Sequence, residues 1–371
     1  MDSDSDCFLT QLIWVLVFCT PTCVTLLLLS HKSVTVRFVV AAFLFPPTVP
    51  YGILLLSWIF ICKFLPGNFY PILDDFLWGW YQKFVLFLFE VATEAEVIFH
   101  GDFEECFQRR ENVLYICNHQ TAVDWIIADM LAARVGCLGQ IRYMLKDDLI
   151  WTPLFGWGFS HHGCIYVRRG YAFRADITDR ALRYLASLQE YPFWVVVYPE
   201  GTLFKRSHSR FAELMAKGHD LAIENGLKPL KEHYMPRVKG TQMIMERLGS
   251  RIDAVYDVTI LYSSTREQVT QKRLTAPSLT QWLFRMKKPK IHINVKRIAK
   301  EDFPATDQIL PWLHERFLLK EDYVEKFLES EEYFDDDGKR QGHKLQCTNG
   351  SYRAKPDVLG IHYTSNERRC A

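Results

Sequence analysis

The sequence predicts an α/β domain, with strands shielded by helices, preceded by an apolar N-terminal region. From about residue 93 onward, short apolar runs of strand length alternate with segments of helical spacing. The charges are also unevenly placed: residues 1–100 hold four basic and eight acidic side chains, whereas the other 271 residues hold 40 and 35. This asymmetry excludes both a uniformly soluble globule and a polytopic transporter. The overall net charge of +1 does not favour a nucleic-acid partner.

The N-terminal region contains two windows without charged side chains. Residues 8–30 exceed the roughly 20 apolar residues that one bilayer crossing needs, so they predict a membrane span. Residues 38–62 are interrupted by three prolines, which predict a broken or re-entrant span. Residues 77–92 are rich in aromatic side chains but include a lysine and a glutamate, which is typical of an interfacial helix. Residues 1–92 are therefore predicted to anchor the protein in a membrane.

The flanking charges and the cysteines bear on the orientation of the chain. A cleaved signal peptide would need a basic start, but three aspartates lie within the first six residues. Lys32 and Arg37 predict that the loop after the first span is cytosolic, and the side taken by the domain depends on whether residues 38–62 cross. The ten cysteines include no C-x-x-C pair and those after residue 93 are scattered, which favours reduced thiols in a cytosol-facing domain.

Five runs rich in β-branched or aromatic residues predict strands of the domain, and three segments with helical spacing predict its helices. The predicted strands are Val113–Cys117, Cys164–Val167, Phe193–Tyr198, Ala254–Tyr262 and Lys290–Ile298. The predicted helices are Thr121–Arg134, Arg174–Gln189 and Thr306–Phe327. Residues 331–371 are polar, with few large apolar side chains, and are predicted to be disordered. The predicted folded domain therefore spans residues 93–330.

The segment NHQTAVD, residues 118–124, lies where the first predicted strand gives way to a helix. A neutral imidazole such as His119 is a suitable general base near pH 7, and a carboxylate on its other nitrogen would fix its tautomer. On a continuous helix, five residues turn the chain by about 140°, so His119 and Asp124 meet only if the histidine precedes the helix. The spacing alone is weak evidence, because four other histidines in the chain have a glutamate five residues on.

Three further segments follow in order, and each contains residues suited to a ligand site. The segment GCIYVRR (163–169) ends a predicted strand with two arginines, the residue type suited to bidentate phosphate recognition. The segment YPEGT (198–202) ends another strand in a sharp turn, and MPR (235–237) precedes the strand that begins at Ala254. Ligand sites of α/β sheets form at such strand ends.

Together these four segments resemble the successive motifs of the glycerolipid acyltransferases, specifically the 1-acyl-glycerol-3-phosphate acyltransferases. The NHQ…VDW form is similar to the epsilon-type and lysocardiolipin acyltransferase branches, and the resemblance covers roughly residues 85–330. It implies a mixed sheet with flanking helices and transfer of a fatty acyl group from acyl-CoA to the free hydroxyl of 1-acyl-glycerol-3-phosphate, giving phosphatidic acid. Acyl-CoA would be a co-substrate, and no cofactor or metal is expected.

The resemblance also implies roles for individual residues. His119 would be the general base that deprotonates the acceptor hydroxyl, and Asp124 would orient it. The alkoxide would attack the thioester directly, without a covalent acyl-enzyme. The substrate-binding residues would be Arg169 and, more weakly, Lys146 for the phosphate, Glu200 and Gly201 for the shape of the acceptor site, and Pro236 for acyl-CoA.

One position departs from the pattern of the family. Many members have an arginine directly after the threonine of the third motif, whereas this chain has Leu203. Lys205 or Arg206 would then supply the missing charge, or the phosphate would rely more on Arg169. The departure affects the identity of the acceptor more than the reaction.

Several alternatives stay open at this point. The acceptor could be lysocardiolipin, lysophosphatidylglycerol or another lysophospholipid, the enzyme could be a CoA-independent transacylase, or the chain could be an inactive membrane scaffold. His161-His162 suggests a metal site, but no partner has convincing spacing, so structural histidines are favoured. The expected partners are acyl-CoA, a lysophospholipid and the lipid bilayer, without nucleic acid. The expected location is the endoplasmic reticulum membrane, with the mitochondrial outer membrane as the alternative.

Overall fold

The computed structural model describes residues 69–151, 155–167, 175–187, 192–267, 272–284, 288–330 and 343–345, together with Ser57, Ile61 and Phe64. The predicted span 8–30, most of the window 38–62, Arg169 and most of the tail 331–371 lie outside the described residues. Among the helices of the described residues, none combines the length and the apolar character needed to cross a bilayer.

The described residues form an eight-stranded mixed sheet with the strand order β4-β3-β5-β2-β6-β7-β1-β8. Its strands are β1 (Glu96–Gly101), β2 (Val113–Cys117), β3 (Ile141–Lys146), β4 (Ile165–Val167), β5 (Trp194–Val197), β6 (Ala254–Tyr262), β7 (Lys290–Ala299) and β8 (His343–Leu345). The pairs from β4 to β6 are parallel, β6 and β7 are antiparallel, β7 and β1 are parallel, and β8 is antiparallel to β1. The expectation of a mixed sheet is confirmed.

Nine α-helices of the described residues flank this sheet. They are α1 (Phe69–Leu86), α2 (Phe103–Phe107), α3 (Asp124–Val135), α4 (Phe155–His161), α5 (Ala175–Ser187), α6 (Phe211–Glu224), α7 (Val238–Leu248), α8 (Leu279–Phe284) and α9 (Ile309–Glu329). A π-helical turn, Phe87–Val91, continues α1. Short 3₁₀ turns at Leu138–Gln140 and Asp147–Trp151 precede and follow β3.

The two strands predicted at Val113–Cys117 and Ala254–Tyr262 are confirmed residue for residue. Every residue of both strands is buried, because they lie side by side in the middle of the sheet with helices over both faces. Alternate side chains of β2 enter the two hydrophobic cores, Tyr115 on one face and Leu114 and Ile116 on the other. The sheet therefore separates two cores, and its central strands carry the site described below.

Helix α1 is joined to the sheet domain by buried apolar and ionic contacts. Trp78 packs in the same core as β2 and α3, and its ring stacks on His162 with centroids 4.0 Å apart. His162 Nδ1 lies 2.6 Å from Asp74 Oδ2, and the Arg142 guanidinium bonds both His162 Nε2 at 2.8 Å and Asp75 Oδ1 at 2.7 Å. Burial and the Arg142 charge lower the pKa of His162. His162 thus joins α1 to β3. The Arg142 guanidinium lies beside the Asp74 and Asp75 carboxylates, in the position that a bound cation would occupy.

Candidate active site

The loop after β2 is held by the neighbouring strand β6. The Asn118 side chain exchanges two hydrogen bonds with the backbone of Ile260, accepting from its N–H at 2.8 Å and donating to its carbonyl at 3.0 Å. Gln120 Nε2 also donates to the Ile260 carbonyl, at 2.6 Å. The two amide side chains of the NHQ segment therefore continue the pairing of β2 with β6 beyond the last residue of the strand. His119 lies between them on a fixed backbone.

His119 and Asp124 form a hydrogen-bonded pair, with 2.9 Å between Nδ1 and Oδ2. His119 lies in the loop and Asp124 is the first residue of α3, which is the arrangement that their spacing requires. The helix was predicted to begin at Thr121 and begins three residues later. The intervening turn lets the N–H groups of Gln120 and Thr121 donate to Asp124 Oδ2, at 2.6 and 3.0 Å.

The second oxygen of Asp124 is held from another part of the chain. The hydroxyl of Tyr262, the last residue of β6, donates to Oδ1 at 2.6 Å. Burial raises the pKa of Tyr262 well above its usual value, so the hydroxyl keeps the proton that it donates. The fully buried carboxylate thus accepts from Tyr262, from two backbone N–H groups and from His119 Nδ1. With the proton on Nδ1, the lone pair of the imidazole is on Nε2, as a general base requires.

The turn after β5 holds His119 from the other side. The Tyr198 ring stacks on the imidazole with centroids 4.4 Å apart. Glu200 Oε1 accepts from the backbone N–H of His119 at 2.7 Å, and Oε2 accepts from that of Tyr234 at 3.0 Å. Burial raises the pKa of Glu200 to about 8. Glu200 therefore positions the backbone of the base, and it does not line the cavity into which His119 opens.

Gly201 completes this turn in a conformation that favours glycine. Its φ is +62°, and its N–H donates to the Tyr198 carbonyl at 2.9 Å. A Cβ at this position would lie 3.2 Å from both Cδ and Nε of Arg237. The missing side chain therefore allows the Arg237 side chain to lie against the turn.

A cavity of about 830 Å³ opens beside His119 between α1, α3, β3 and the first turn of α7. Its walls are mainly apolar and aromatic, with Tyr81, Trp125, Tyr143 and Phe159 among them. Its basic side chains are Lys146, Arg237 and Lys239, and no aspartate or glutamate of the described residues lines it. The cavity therefore combines a base, an apolar surface and positive charge, which suits an amphiphilic anion.

The other residues proposed for substrate binding take different places. Lys146 lines the cavity and is ion-paired with Asp148, and Gly201 also lines it. Pro236 is buried beside Arg237 and does not line the cavity. Arg169 is outside the described residues, but Val167, two positions earlier in the chain, is in the cavity wall.

For the missing charge of the third motif, the sequence offered Lys205, Arg206 or a greater reliance on Arg169, and neither Lys205 nor Arg206 lines the cavity. Arg206 is half exposed and pairs with Glu232. Sequence reasoning also gave no role to Tyr262, Tyr198 or Arg237. Tyr198 and Arg237 lie within the quoted motifs, whereas Tyr262 had no signal besides its place at the end of a predicted strand.

A histidine held by a carboxylate and facing a mixed apolar and basic cavity has the groups that general-base catalysis of acyl transfer to a hydroxyl requires. Sequence comparisons agree: a model of the acyltransferase family matches residues 97–263, and a model of the acyltransferase C-terminus matches residues 282–353. The C-terminal match extends past the predicted boundary at residue 330, and β8 lies within it.

Three curated relatives extend this result. The mouse protein named 1-acyl-sn-glycerol-3-phosphate acyltransferase epsilon is 38% identical over 279 residues, which cover 74% of this chain and 73% of the relative. An Arabidopsis thaliana protein named probable 1-acyl-sn-glycerol-3-phosphate acyltransferase 5 is 33% identical over 68% of this chain and 62% of its own length. Lysocardiolipin acyltransferase 1 of Gallus gallus is 28% identical over the same two shares. The chain belongs to the 1-acyl-sn-glycerol-3-phosphate acyltransferase family.

Proposed function

We propose that the protein transfers a fatty acyl group from acyl-CoA to the free hydroxyl of 1-acyl-glycerol-3-phosphate, forming phosphatidic acid at a membrane surface. The observation that carries this proposal is the His119–Asp124 pair at the edge of a cavity with apolar walls and basic side chains. A lysophospholipid has the matching chemistry, since it joins an acyl chain, a hydroxyl and a phosphate in one molecule. The names of the mouse and Arabidopsis relatives support this acceptor.

In the proposed reaction, Nε2 of His119 removes the proton of the acceptor hydroxyl as its oxygen attacks the thioester carbonyl. The tetrahedral intermediate collapses with cleavage of the C–S bond, and the imidazolium returns the proton to the departing CoA sulfur. Asp124 stabilises the transient charge of the imidazolium and holds the ring in place. Because the oxygen nucleophile belongs to the acceptor, the protein forms no covalent acyl intermediate.

The outer face of α1 supports a membrane-bound site. Its large apolar side chains project away from the core, with Phe76 67% exposed and Trp80 61% exposed, and Trp151 beside β3 is 83% exposed. Such a surface fits the interfacial layer of a bilayer. Residues 1–92 are accordingly proposed as the anchoring region and 93–330 as the catalytic domain, with the endoplasmic reticulum membrane as the location.

A second acceptor is favoured by one comparison. The Gallus gallus relative is named for lysocardiolipin, and this chain has Leu203 where many members of the family have an arginine. Lysocardiolipin and lysophosphatidylglycerol carry phosphodiesters, whereas 1-acyl-glycerol-3-phosphate carries a phosphomonoester. The alternative therefore keeps the mechanism and changes the head group.

The test uses the full-length protein in nanodiscs, labelled oleoyl-CoA and a panel of lysolipid acceptors, with products separated by class. His119→Ala is expected to abolish transfer while leaving membrane association intact. The matched control is His208→Ala, because His208 is an exposed histidine outside the cavity that also has an acidic residue five positions on.

His119-dependent label in phosphatidic acid is the expected product. Label chiefly in another phospholipid would replace the acceptor and keep the mechanism. Unchanged turnover in the His119→Ala protein would contradict the mechanism itself.

A further inference from the structure

The basic side chains of the cavity differ in how their charge is balanced. Lys146 forms an ion pair with Asp148. Arg237 forms no ion pair with any carboxylate of the described residues, and desolvation alone lowers its pKa. The carboxyl group of Glu200, the residue before Gly201, is directed to the backbone N–H groups of His119 and Tyr234. Arg237 therefore presents an unneutralised guanidinium to the cavity that His119 lines.

Arg237 is also held in a fixed position relative to the base. Its backbone N–H donates to the Pro199 carbonyl at 2.8 Å, and its side chain lies against Gly201. The intervening residue of that turn, Glu200, accepts from the backbone N–H of His119. The backbones of Arg237 and His119 are thus both hydrogen-bonded to the turn after β5.

The first turn of α7 is brought close to β3 at the same place. Gly240 packs against Met144, and a Cβ there would lie 2.8 Å from the Met144 sulfur. This close approach puts Arg237 and Lys239 in the same cavity as Lys146, two residues after Met144 on β3. The positive charge of the cavity is therefore contributed by two elements that pack against each other.

We infer that Arg237 binds the phosphate of the acceptor and supplies the charge that Leu203 cannot. This inference rests on the proposed function and identifies a residue that fixes the position of the acceptor. A guanidinium bonds a phosphomonoester in a bidentate manner, and its planar donors suit two phosphate oxygens at once. Holding the phosphate beside the turn that also holds the backbone of His119 places the glycerol hydroxyl near the base. CoA also carries phosphates, so the test separates the two sources.

The kinetic test compares full-length wild type with Arg237→Gln and Arg237→Lys in nanodiscs. Arg237→Gln is expected to raise KM for 1-acyl-glycerol-3-phosphate by about 10- to 100-fold, the loss of hydrogen bonds to a charged group. KM for oleoyl-CoA is expected to stay within about twofold, and Arg237→Lys is expected to restore part of the loss. The matched control is Arg206→Gln, which removes an arginine near Leu203 that lies outside the cavity.

A second kinetic comparison uses an acceptor that has no phosphate. With 1-acylglycerol, wild type and Arg237→Gln are expected to react at the same low rate, because neither protein has a phosphate to bind. Equal losses with both acceptors would show that Arg237 only shapes the turn and would overturn the inference. A rise confined to the KM for oleoyl-CoA would overturn it too, because the phosphate bound would belong to CoA.

Equilibrium binding separates this inference from the proposed function. Binding of a short-chain 1-acyl-glycerol-3-phosphate is measured by calorimetry on the His119→Ala protein, with and without Arg237→Gln. The expected result is a 10- to 100-fold weaker Kd in the double variant, about the same factor as in KM. Equal affinities would overturn the role of Arg237 whatever the turnover, whereas a wild type that binds but transfers no acyl group would contradict only the proposed function.

Discussion

Replacing Tyr262 by phenylalanine removes the hydroxyl oxygen that supports the His119–Asp124 pair. The lost hydroxyl is the only described donor to Asp124 Oδ1, at 2.6 Å, while the backbone and His119 bonds to Oδ2 remain. One oxygen of a buried carboxylate then has no hydrogen-bond donor. Leaving a buried charged acceptor unpaired costs about 1.5–3 kcal/mol.

The effect on catalysis follows from the same free energy. In the proposed mechanism Asp124 orients the imidazole and stabilises its charge in the transition state, so a comparable part of this loss is expected in the activation barrier. Since about 1.4 kcal/mol corresponds to a tenfold change in rate, kcat of Tyr262→Phe should fall by about 10- to 100-fold. KM for both substrates should stay unchanged, because Tyr262 does not line the cavity.

A second tyrosine of β6 provides the control. The Tyr256 hydroxyl donates to Glu111 at 2.7 Å, and Glu111 is remote from the cavity and is also held by Arg297. Tyr256→Phe should lower the unfolding temperature in a similar way without lowering kcat. Steady-state kinetics and thermal unfolding of both variants decide the question. A kcat of Tyr262→Phe within about twofold of wild type, or an equal fall in both variants, would refute the reasoning.

Two further predictions concern groups that hold the site in place. Burial raises the pKa of Glu200 from 4.5 to about 8. Between these two pH values the folded protein keeps a proton that the unfolded chain has released. The free energy of unfolding therefore falls as the pH rises through this range. Glu200→Gln should lose this pH dependence, and thermal unfolding at about pH 5 and pH 9 would show it; an identical slope in both proteins would contradict the assignment. Arg142→Leu leaves the Asp75 carboxylate buried without its counter-charge and should destabilise the protein by about 3–5 kcal/mol, measured by denaturant unfolding. A loss under about 1 kcal/mol would mean that the network joining α1 to β3 contributes little.

The sequence predicted the strands whose signal is local, and it missed those whose burial depends on distant partners. The runs VLYIC and AVYDVTILY were recognised because a strand covered on both faces is nearly continuously apolar. Strand β3 contains Arg142, which is buried only because α1 supplies Asp75 as its counter-ion. Strand β1 contains His100, which is buried against His292 of β7 at 3.0 Å between ring nitrogens. Neither the Arg142–Asp75 contact nor the His100–His292 contact can be recognised from the spacing of residues along the chain.

The same distinction holds for the site. The contact between His119 and Asp124 could be predicted because five residues separate them and only one arrangement of loop and helix brings them together. The contact between Asp124 and Tyr262 spans 138 residues and depends on the pairing of β2 with β6. The position of Arg237 depends on the left-handed conformation of Gly201. The segment YPEGT predicts a turn, but it does not predict which distant side chain packs against that turn.

Helix α1 links the proposed chemistry to the proposed membrane surface. One part of the helix, Tyr81 and Gln82, lines the cavity, while Asp74 and Asp75 fix the helix to β3 through buried ionic contacts. Its outer face exposes apolar side chains such as Phe76. A helix held in this way cannot move with the bilayer independently of the active site. Under the proposed function, the apolar chain of a lipid acceptor would therefore pass from the membrane to His119 along a wall of fixed geometry.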